Sequence, residues 1–287
     1  MAQAIQPQHL DLAEYDIRQR WRTRPPKQFP SDWATSWGFD KYGLWQTFEV
    51  PAGKSGGNYG ADNEKVRHKM RFIPSGSFLM GAPRNEDQRN DNRPQHNVMI
   101  SKGFWLGETA VPQILWTNIV MANPSHFRDR NNPMLPVENV SWYECRRFCE
   151  ALGQKIEALC DLPTEAQWEY SCRAGTNTQF NVGTELETWQ ANINSELGKT
   201  TDVDKFQPNG WGLKQMHGNV WEWCLDKPRQ YSSKARSDPM GPMQEEQAGL
   251  RGGSWYLNSF YCRSAYRSIV RRDYHYYSIG LRIAITD

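Results

Sequence analysis

The sequence predicts an α+β domain with short strands, two or three helices and a high loop content. Strand-like segments come first, between Val66 and Gly107, and helical patterns follow between Val111 and Ala174. An irregular middle part then leads to further strand-like segments near the end of the sequence. This order is typical of α+β proteins, in which strands and helices are segregated along the chain. The 287 residues suffice for one or two domains with a sizeable core.

Residues 1–65 are predicted to form an N-terminal extension that packs on the main domain through aromatic side chains. A short amphipathic pattern from His9 to Arg24 predicts a helix, which Pro25 ends because proline lacks the amide hydrogen. An aromatic-rich segment follows and finishes in Trp45–Val50, which alternates as a strand does. The main domain is then expected to span residues 66–287.

The main domain begins with segments that predict four short strands. Residues 66–83 form two strand-like runs around Pro74-Ser75-Gly76, and this pattern predicts a β-hairpin. Two further strands are predicted at Asn97–Ile100 and Gly103–Gly107. Together these runs supply the first sheet of the predicted α+β architecture.

Three helices are predicted after these strands. Val111–Met121 has a proline near its first turn, where the missing amide hydrogen costs nothing. Ser141–Leu152 starts with a serine and has Glu144 three residues later, which is a capping box. Thr164–Ala174 repeats that signature with Gln167. Each start signal lies next to an apolar pattern, so all three helices are expected.

Composition and charge exclude several classes of protein. The 34 Lys and Arg residues nearly balance 32 Asp and Glu residues and form no basic stripe, so no nucleic-acid partner is expected. No apolar run approaches the length of a membrane span, and Met1–Leu10 lacks a secretory leader. A cytoplasmic protein is therefore expected, unless another route exports it. The six cysteines are scattered, so we expect reduced, mostly buried thiols and no zinc site: Cys145, Cys149, Cys160, Cys172, Cys224 and Cys262.

The stretch from Leu250 to Ile285 contains two kinds of positions. We call the motifs RGGSW, CRSA and IGLR, together with Arg267, the frame. We call the positions set between them, whose side chains follow no period, the filler. Neither a two-residue nor a 3.6-residue repeat fits the filler. It contains more tyrosine than a core can satisfy, since each buried hydroxyl needs a partner. Tyrosine with serine and asparagine is typical of binding loops, although an irregular core segment is the alternative. The predicted ligand-binding positions are Tyr256, Leu257, Asn258, Ser259, Phe260, Tyr261, Tyr266, Ser268, Ile269, Val270, Tyr274, His275, Tyr276, Tyr277 and Ser278.

Eight short motifs between Val66 and Ile285 resemble one known family. They read PSGSFLMG, GFWLGETAVP, PVENVSWYEC, LPTEAQWEYSCRAG, NGWGL, GNVWEW, RGGSW and IGLR. Together they are similar to the formylglycine-generating enzyme, or sulfatase-modifying-factor, family. The resemblance implies a C-type lectin-like fold of that type. It does not imply one function, because this fold carries both enzymes and binding proteins.

The resemblance argues against the family's copper chemistry in this chain. The enzymes of the family hold copper with two cysteines after GGS, and thiolates suit Cu(I). Aligned on RGGSW and the following CR, the second position is Cys262 and the first is Leu257. One thiolate cannot make that site, and Cys224 follows a different motif. Catalysis is therefore not expected. The alternatives are a formylglycine-generating-like or related metal-dependent oxidase and a siderophore-maturing relative.

The end of the sequence resembles more closely the variable proteins of diversity-generating retroelements. Their diversified segment has the form RGGSW…CR.A.R…IG.R, which residues 251–285 match. In those systems, randomised adenines turn AAC and AAT codons into NNC and NNT, which encode no Lys, Glu, Gln, Met or Trp. The filler positions contain none of these five residues. The resemblance implies a non-catalytic protein that presents a tyrosine-rich hypervariable surface to a ligand, expected to be a protein.

The family resemblance also implies calcium sites, although no cofactor is expected to be required. The first site would use the side chains of Gln215 and Glu222 and the carbonyl groups of Gly218 and Val220. Oxygen ligands at such spacing suit Ca²⁺, and the alternative is that Glu222 hydrogen-bonds the loop backbone. A second family site begins at Ala191-Asn192-Ile193, with Asp202 or Asp204 as the substitute for a missing carboxylate.

Several polar residues have structural interpretations that we prefer to catalytic ones. His217 lies inside a glycine turn and is expected to bond backbone, and His126 is expected to be solvated or capped in its loop. Arginine forms two parallel hydrogen bonds with a carboxylate. We therefore expect Arg263, Arg267 and Arg282 to tie the last strands to the loops.

Overall fold

The computed structural model describes residues 25–51, 65–83, 86, 94–243 and 245–286. The helix predicted at His9–Arg24 lies outside these residues, as does most of the loop before residue 65. No helix in the described part is long and apolar enough to cross a membrane.

Strands and helices are short and segregated, as expected of an α+β fold. Within the described residues there are three α-helices, α1 (Gln113–Val120), α2 (Trp142–Ile156) and α3 (Glu165–Arg173). The strands, in chain order, are β1 (Ser36–Asp40), β2 (Gly43–Pro51), β3 (Lys65–Ile73), β4 (Gly76–Met80), β5 (His96–Ile100), β6 (Phe104–Gly107), β7 (Cys160–Asp161), β8 (Trp221–Trp223), β9 (Arg236–Ser237), β10 (Gln247–Arg251), β11 (Arg267–Arg271), β12 (Ile279–Gly280) and β13 (Ala284–Ile285).

These strands form three sheets. The largest has six strands in the order β1-β2-β3-β6-β13-β7, and a smaller one has the order β4-β5-β9. The third sheet, β11-β10-β8-β12, is made only of strands that follow the three helices. Its β10 and β11 lie on either side of residues 252–266, the first half of the predicted binding segment at residues 251–285. This sheet therefore determines where that segment lies.

The three predicted helices are confirmed, and both capping boxes form. Ser141 Oγ accepts a hydrogen bond from Glu144 N at 3.3 Å, and Glu144 Oε2 accepts one from Ser141 N at 2.8 Å. Helix α2 continues beyond the predicted end at Leu152 because Ile156, one turn further on, is also buried on the core side. It ends where Glu157 adopts a left-handed conformation, with φ of 56°.

The hairpin predicted for residues 66–83 is wrong. β3 pairs with β2 on one edge and with β6 on the other, so no edge remains for β4. β4 pairs instead with β5 in the three-stranded sheet. The turn at Pro74-Ser75 therefore carries the chain from one sheet to another.

The described part of the N-terminal extension joins the six-stranded sheet. β2 alternates between half-buried and buried positions, as predicted for Trp45–Val50, and pairs antiparallel with β3. Aromatic contacts add to this pairing, since Phe29 stacks on Trp105 at 6.2 Å and Trp33 meets the same ring edge-on at 5.7 Å. Backbone hydrogen bonds and aromatic packing thus both hold the extension. The boundary at residue 65 stays a prediction.

Replacing Ser141 with alanine tests the capping box of α2. The variant loses the acceptor for Glu144 N, so we expect the free energy of unfolding to fall by about 1 kcal/mol. Urea denaturation measures this change. Ser101→Ala, at an exposed position outside the helices, is the matched control and should change stability by less than about 0.5 kcal/mol. Equal effects of the two substitutions would contradict the capping role.

Candidate functional site

A buried ion pair fixes the start of the predicted binding segment. Arg251, fully buried at the end of β10, donates to Glu165 Oε1 and to Glu169 Oε2, both at 2.9 Å. The two acids are four residues apart on α3 and so face the same side. Burial alone would raise the pKa of Glu169, but Arg173 and Arg251 hold it below its usual value. Arg251 also donates to the Ser264 carbonyl at 2.9 Å, so it joins α3 to both halves of the segment.

A second buried pair fixes the end of the segment. Arg282 donates to Glu222 Oε1 from Nη2 at 2.8 Å and to Glu222 Oε2 from Nε at 3.0 Å. It also donates to the carbonyl oxygens of Gly107 and Lys214 at 2.8 Å. The prediction that Arg282 ties the last strands to the loops is therefore confirmed. Arg263 donates to the Phe260 carbonyl and lies 3.5 Å from Glu86 Oε1. Arg267 donates to the Arg229 carbonyl and lies 3.4 Å from Glu165 Oε2.

The Glu222 carboxylate bears on the predicted calcium site. Trp168 Nε1 donates to Glu222 Oε2 at 2.6 Å, so that oxygen has two protein donors. Gln215 donates through Nε2 to the Asp202 carbonyl, and its Oε1 has no hydrogen-bond partner within the described part of the chain. A calcium ion at Gln215, Gly218, Val220 and Glu222 stays a prediction. Such an ion would have to share Glu222 with Arg282 and Trp168.

The first filler loop, residues 254–261, is held by its backbone. Ser195 N donates to the Trp255 carbonyl and Asn194 N to the Leu257 carbonyl, each at 2.8 Å. A short 3₁₀ helix, Ser259–Cys262, follows, and Asn258 caps it by accepting from Phe260 N at 3.1 Å. Residues outside the loop therefore hold the loop backbone in this conformation.

The second filler loop, residues 272–278, is held in a similar way. Asn139 N donates to the Tyr276 carbonyl at 3.0 Å. The side chain of Asn139 lies 2.9 Å from His275 Nδ1, a contact that spans 136 residues of sequence. At the start of the loop, Trp142 N donates to the Arg272 carbonyl at 3.0 Å. The helix α2 and the residues before it therefore hold this loop.

The two loops bring four tyrosine rings together, and we call the rings of Tyr256, Tyr274, Tyr276 and Tyr277 the tyrosine face. The Tyr256 centroid lies 6.4 Å from those of both Tyr276 and Tyr277. Tyr276 lies 4.0 Å from Tyr277 and stacks on Tyr274 at 6.3 Å. Tyr256 and Tyr274 are 37% and 45% exposed. The face is therefore open to solvent and continuous across both loops.

Most predicted binding positions reach the surface. The exposed ones are Tyr256, Asn258, Phe260, Ile269, Tyr274 and His275, and the half-buried ones are Leu257, Ser259, Tyr261, Ser268, Val270, Tyr276 and Tyr277. Tyr266 and Ser278 are buried, and the structure corrects their placement on the surface. Tyr266 packs on Trp221 at 6.0 Å and on Tyr261 at 5.2 Å, and the Ser278 carbonyl accepts from Trp221 N at 2.8 Å.

Three other positions lie on a strand instead of a loop. Ser268, Ile269 and Val270 belong to β11, which pairs antiparallel with β10 at the edge of the four-stranded sheet. Exposure alternates along this strand, with Ile269 exposed between two half-buried neighbours. The strand has only five residues, so this two-residue period does not stand out in the sequence. These side chains lie on the edge strand of the sheet.

Sequence reasoning missed two aromatic residues that border the tyrosine face. Phe127 meets Trp255 edge-on at 5.5 Å and Tyr277 at 6.0 Å. His126, predicted to be solvated or capped, is exposed and lies 5.5 Å from the Tyr277 ring. No local pattern signals these contacts, since they join distant parts of the chain.

The residues at the family's copper positions do not fit a copper site. Leu257 has no metal-binding group, and Cys262 is fully buried, where desolvation raises the pKa of its thiol to about 12. Cys224, the candidate replacement, is equally buried and belongs to a different apolar cluster from Cys262. Among the residues with described positions, no group of three or more His, Cys, Asp or Glu side chains could hold a metal.

Other reactive groups near the segment are engaged or protonated. His217 donates from Nδ1 to the Cys262 carbonyl at 2.7 Å, while its Nε2 accepts from Asn181 N at 3.1 Å. This confirms the backbone role predicted for His217, and burial lowers its pKa to about 4. Tyr276 donates to Tyr277 Oη at 2.9 Å, which raises the pKa of Tyr276 to about 12. The arrangement favours hydrogen bonding and ring contact over acid–base chemistry.

Glu138 is a buried acid that contacts the backbone of Phe127, one of the two residues that border the tyrosine face. Its Oε1 accepts from Phe127 N at 2.8 Å, and its Oε2 has no hydrogen-bond partner within the described residues. Burial raises the pKa of Glu138 to about 8, against the opposing effects of the Phe127 and His126 amides and of Arg128. The side chain is therefore protonated at neutral pH and holds the Phe127 backbone as a neutral acceptor.

Alanine substitutions should separate the tyrosine face from the core. Tyr266→Ala removes a buried ring and should lower the free energy of unfolding by about 3 kcal/mol. Tyr256→Ala and Tyr274→Ala remove exposed rings and should change it by less than about 1 kcal/mol. Chemical denaturation measures all three. A large loss in either exposed variant would mean that the ring belongs to the core.

Glu138 should make stability depend on pH. Its pKa is higher in the folded protein than the ordinary value of 4.5, so the folded state holds the proton more tightly. The contribution of protonated Glu138 to the free energy of unfolding is fully present below about pH 4.5 and is lost as the pH rises through about 8. Glu138→Gln keeps a neutral acceptor and should remove this loss, which is at most about 1.4 kcal/mol per pH unit.

Denaturation curves between about pH 5 and pH 8 test this expectation. Glu150→Gln, at an exposed position of α2, is the control and should keep the wild-type pH dependence. Parallel pH profiles for the wild type and Glu138→Gln would refute the assignment.

Known proteins share both sequence and fold with this chain. The chain is 34% identical to formylglycine-generating enzyme of Mus musculus over 208 residues, which are 66% of this chain and 53% of that protein. It is 36% identical to the Streptomyces coelicolor enzyme over 172 residues, 53% of each chain. The chain therefore spans about half the length of these curated relatives.

A solved structure extends the comparison. Treponema denticola variable protein 1 has a TM-score of 0.72 and 26% identity, over 84% of this chain and 99% of that one. This likeness confirms the predicted C-type lectin-like fold and the predicted resemblance to variable proteins. The model of the sulfatase-modifying factor enzyme 1-like domain matches residues 57–287. Because that match covers most of the sequence, the chain belongs to the sulfatase-modifying-factor, or formylglycine-generating enzyme, family.

Proposed function

We propose that this protein is a non-catalytic ligand-binding protein of a diversity-generating retroelement. Its diversified surface would lie within residues 251–285, and its ligand would be another protein. The observation that carries the proposal is the tyrosine face, which two separate loops assemble on the exposed surface. Binding would need no cofactor and no chemical step.

The composition of the face supports protein binding. Tyrosine rings provide large contact areas at a small entropy cost, and their hydroxyl groups adapt to polar partners. Such rings often contribute most of the binding energy when a partner buries them. Asn258 and His275 are exposed polar positions in the same loops and would supply adaptable hydrogen bonds at the rim.

The way in which the loops are held supports diversification. Residues outside the proposed variable segment bind the loop backbone at the carbonyl groups of Trp255, Leu257 and Tyr276. Backbone carbonyls are present whatever the side chain is, so the same path is available to many sequences. A rigid backbone also lowers the entropy cost of binding. Varied side chains can therefore be presented without a new loop conformation.

The relatives support the same function. The structural likeness to Treponema denticola variable protein 1 covers nearly the whole of that protein. The frame around the loops matches the diversified segment, and the filler lacks the five residues that NNC and NNT codons cannot encode.

The second candidate function is a metal-dependent oxidase related to formylglycine-generating enzyme. The 34% identity to the mouse enzyme favours it. Leu257 and the buried, protonated thiol of Cys262 argue against it. Oxygen uptake by the purified chain with copper and a cysteine-containing peptide would support the oxidase and contradict the binding protein.

The encoding DNA provides the direct test of the proposed function. We expect a near-copy of the codons for residues 251–285 close to the gene, together with a reverse-transcriptase gene. The two copies should differ almost only at template adenines, and these differences should fall on the exposed filler codons, such as those of Tyr256 and Tyr274. Sequencing the locus in several isolates measures this.

The codons for residues 66–249 are the internal control, because they should occur once and should not vary in this way. A single copy of the segment in every isolate would contradict the proposal. Differences spread evenly over all bases would contradict it as well.

A further inference from the structure

Two cysteines outside the proposed binding surface meet where α2 packs on β7. After α2, Ala158 N donates to the Gly153 carbonyl and Cys160 N to the Ala158 carbonyl, each at 3.0 Å. This reversal lays Cys160 on the helix, so a Cβ added to Gly153 would lie 3.5 Å from Cys160 Cβ. Cys149 is one helical turn before Gly153 and therefore faces the same side. Burial and the neighbouring Cys160 side chain both raise the pKa of the Cys149 thiol.

A surface groove gives access to this pair of thiols. Both cysteines line a groove of about 870 Å³, whose walls include Arg147, Gln154 and Leu159. Cys160 is half-buried, while Cys149 is only 1% exposed. A small thiol reagent can thus reach Cys160 first, with Cys149 directly behind it.

We propose that Cys149 and Cys160 are a reactive dithiol, which a low-molecular-weight disulfide such as oxidised glutathione converts into an intramolecular disulfide between α2 and β7. The modification is independent of the binding function proposed above. It uses no residue of the tyrosine face or of the two filler loops.

The reaction consists of two thiol–disulfide exchanges. Cys160 loses its proton, and its sulfur bonds to one sulfur of oxidised glutathione, whose S–S bond breaks and releases one glutathione thiol. Cys149 then loses its proton and attacks Cys160 Sγ, which releases the second glutathione. Two electrons and two protons pass from the protein thiols to the two glutathione molecules. Burial raises the pKa of Cys149 well above 9, which favours Cys160 as the first nucleophile.

The remaining cysteines are not placed for this chemistry. None of them lines the groove, and all are fully buried: Cys145, Cys172, Cys224 and Cys262. Cys172, for example, lies 3.6 Å from Ser264 Oγ and 3.8 Å from His217 Nε2. The reaction should therefore be selective for one pair.

Oxidation of the purified full chain by oxidised glutathione tests the proposal. Free thiols are then alkylated, and the protein is digested and mapped by mass spectrometry. We expect one cross-link between the peptides that contain Cys149 and Cys160, with the other cysteines alkylated. The intact mass should fall by about two hydrogen masses relative to the unoxidised chain. A persistent glutathione adduct on Cys160, a link at another cysteine or no reaction would each overturn the proposal.

Three variants assign the roles of the two thiols. Cys149→Ser should stop at a stable glutathione adduct on Cys160, and Cys160→Ser should not react on the same timescale. Cys262→Ser is the matched control and should still form the cross-link. Circular dichroism shows whether each variant is folded. If Cys149→Ser is unfolded, Cys149→Ala takes its place, and the wild-type peptide map decides the question by itself.

Discussion

The arrangement of the protein's C-terminal part depends on two buried arginine–carboxylate clusters. Arg251 binds Glu165 and Glu169 on α3, and Arg282 binds Glu222 on β8. Each charge is out of water, and leaving one of them unpaired would cost several kcal/mol. The pairs therefore select one position of the tail relative to α3 and β8. Their value lies in this geometry, since a buried ion pair often adds little net stability.

Under the proposed function, binding would depend on which side chains the two loops carry on this fixed frame. The tyrosine face consists of rings whose loop backbones are bound by Asn139, Asn194 and Ser195. With leucine at residue 257 and the Cys262 thiol sealed in an apolar cluster, the metal-binding pair of the family's enzymes is missing from the same frame. The same fold can thus carry either catalysis or recognition.

The structural elements that depend on local hydrogen bonds were predicted correctly from the sequence. The capping boxes at Ser141 and Thr164 start α2 and α3 because their hydrogen bonds form within four residues. The hairpin prediction failed because the choice of strand partners depends on distant segments, and β6 took the edge that β4 would have needed. Tyr266 could not be recognised as buried for the same reason, since Trp221 and Phe260 enclose it only in the fold. The contact between Phe127 and Trp255 had no local signature at all.

The position of β13 has a consequence for how the chain is produced. This strand, residues 284–285, inserts between β6 and β7, although it follows every other strand in the sequence. The six-stranded sheet can therefore be completed only after the ribosome has translated the whole of residues 251–283. A premature stop codon or a frameshift in that stretch removes β13 and leaves β6 with an open edge. Translation errors in the stretch are in this way linked to misfolding, so that a correctly read tail is a condition for a complete sheet.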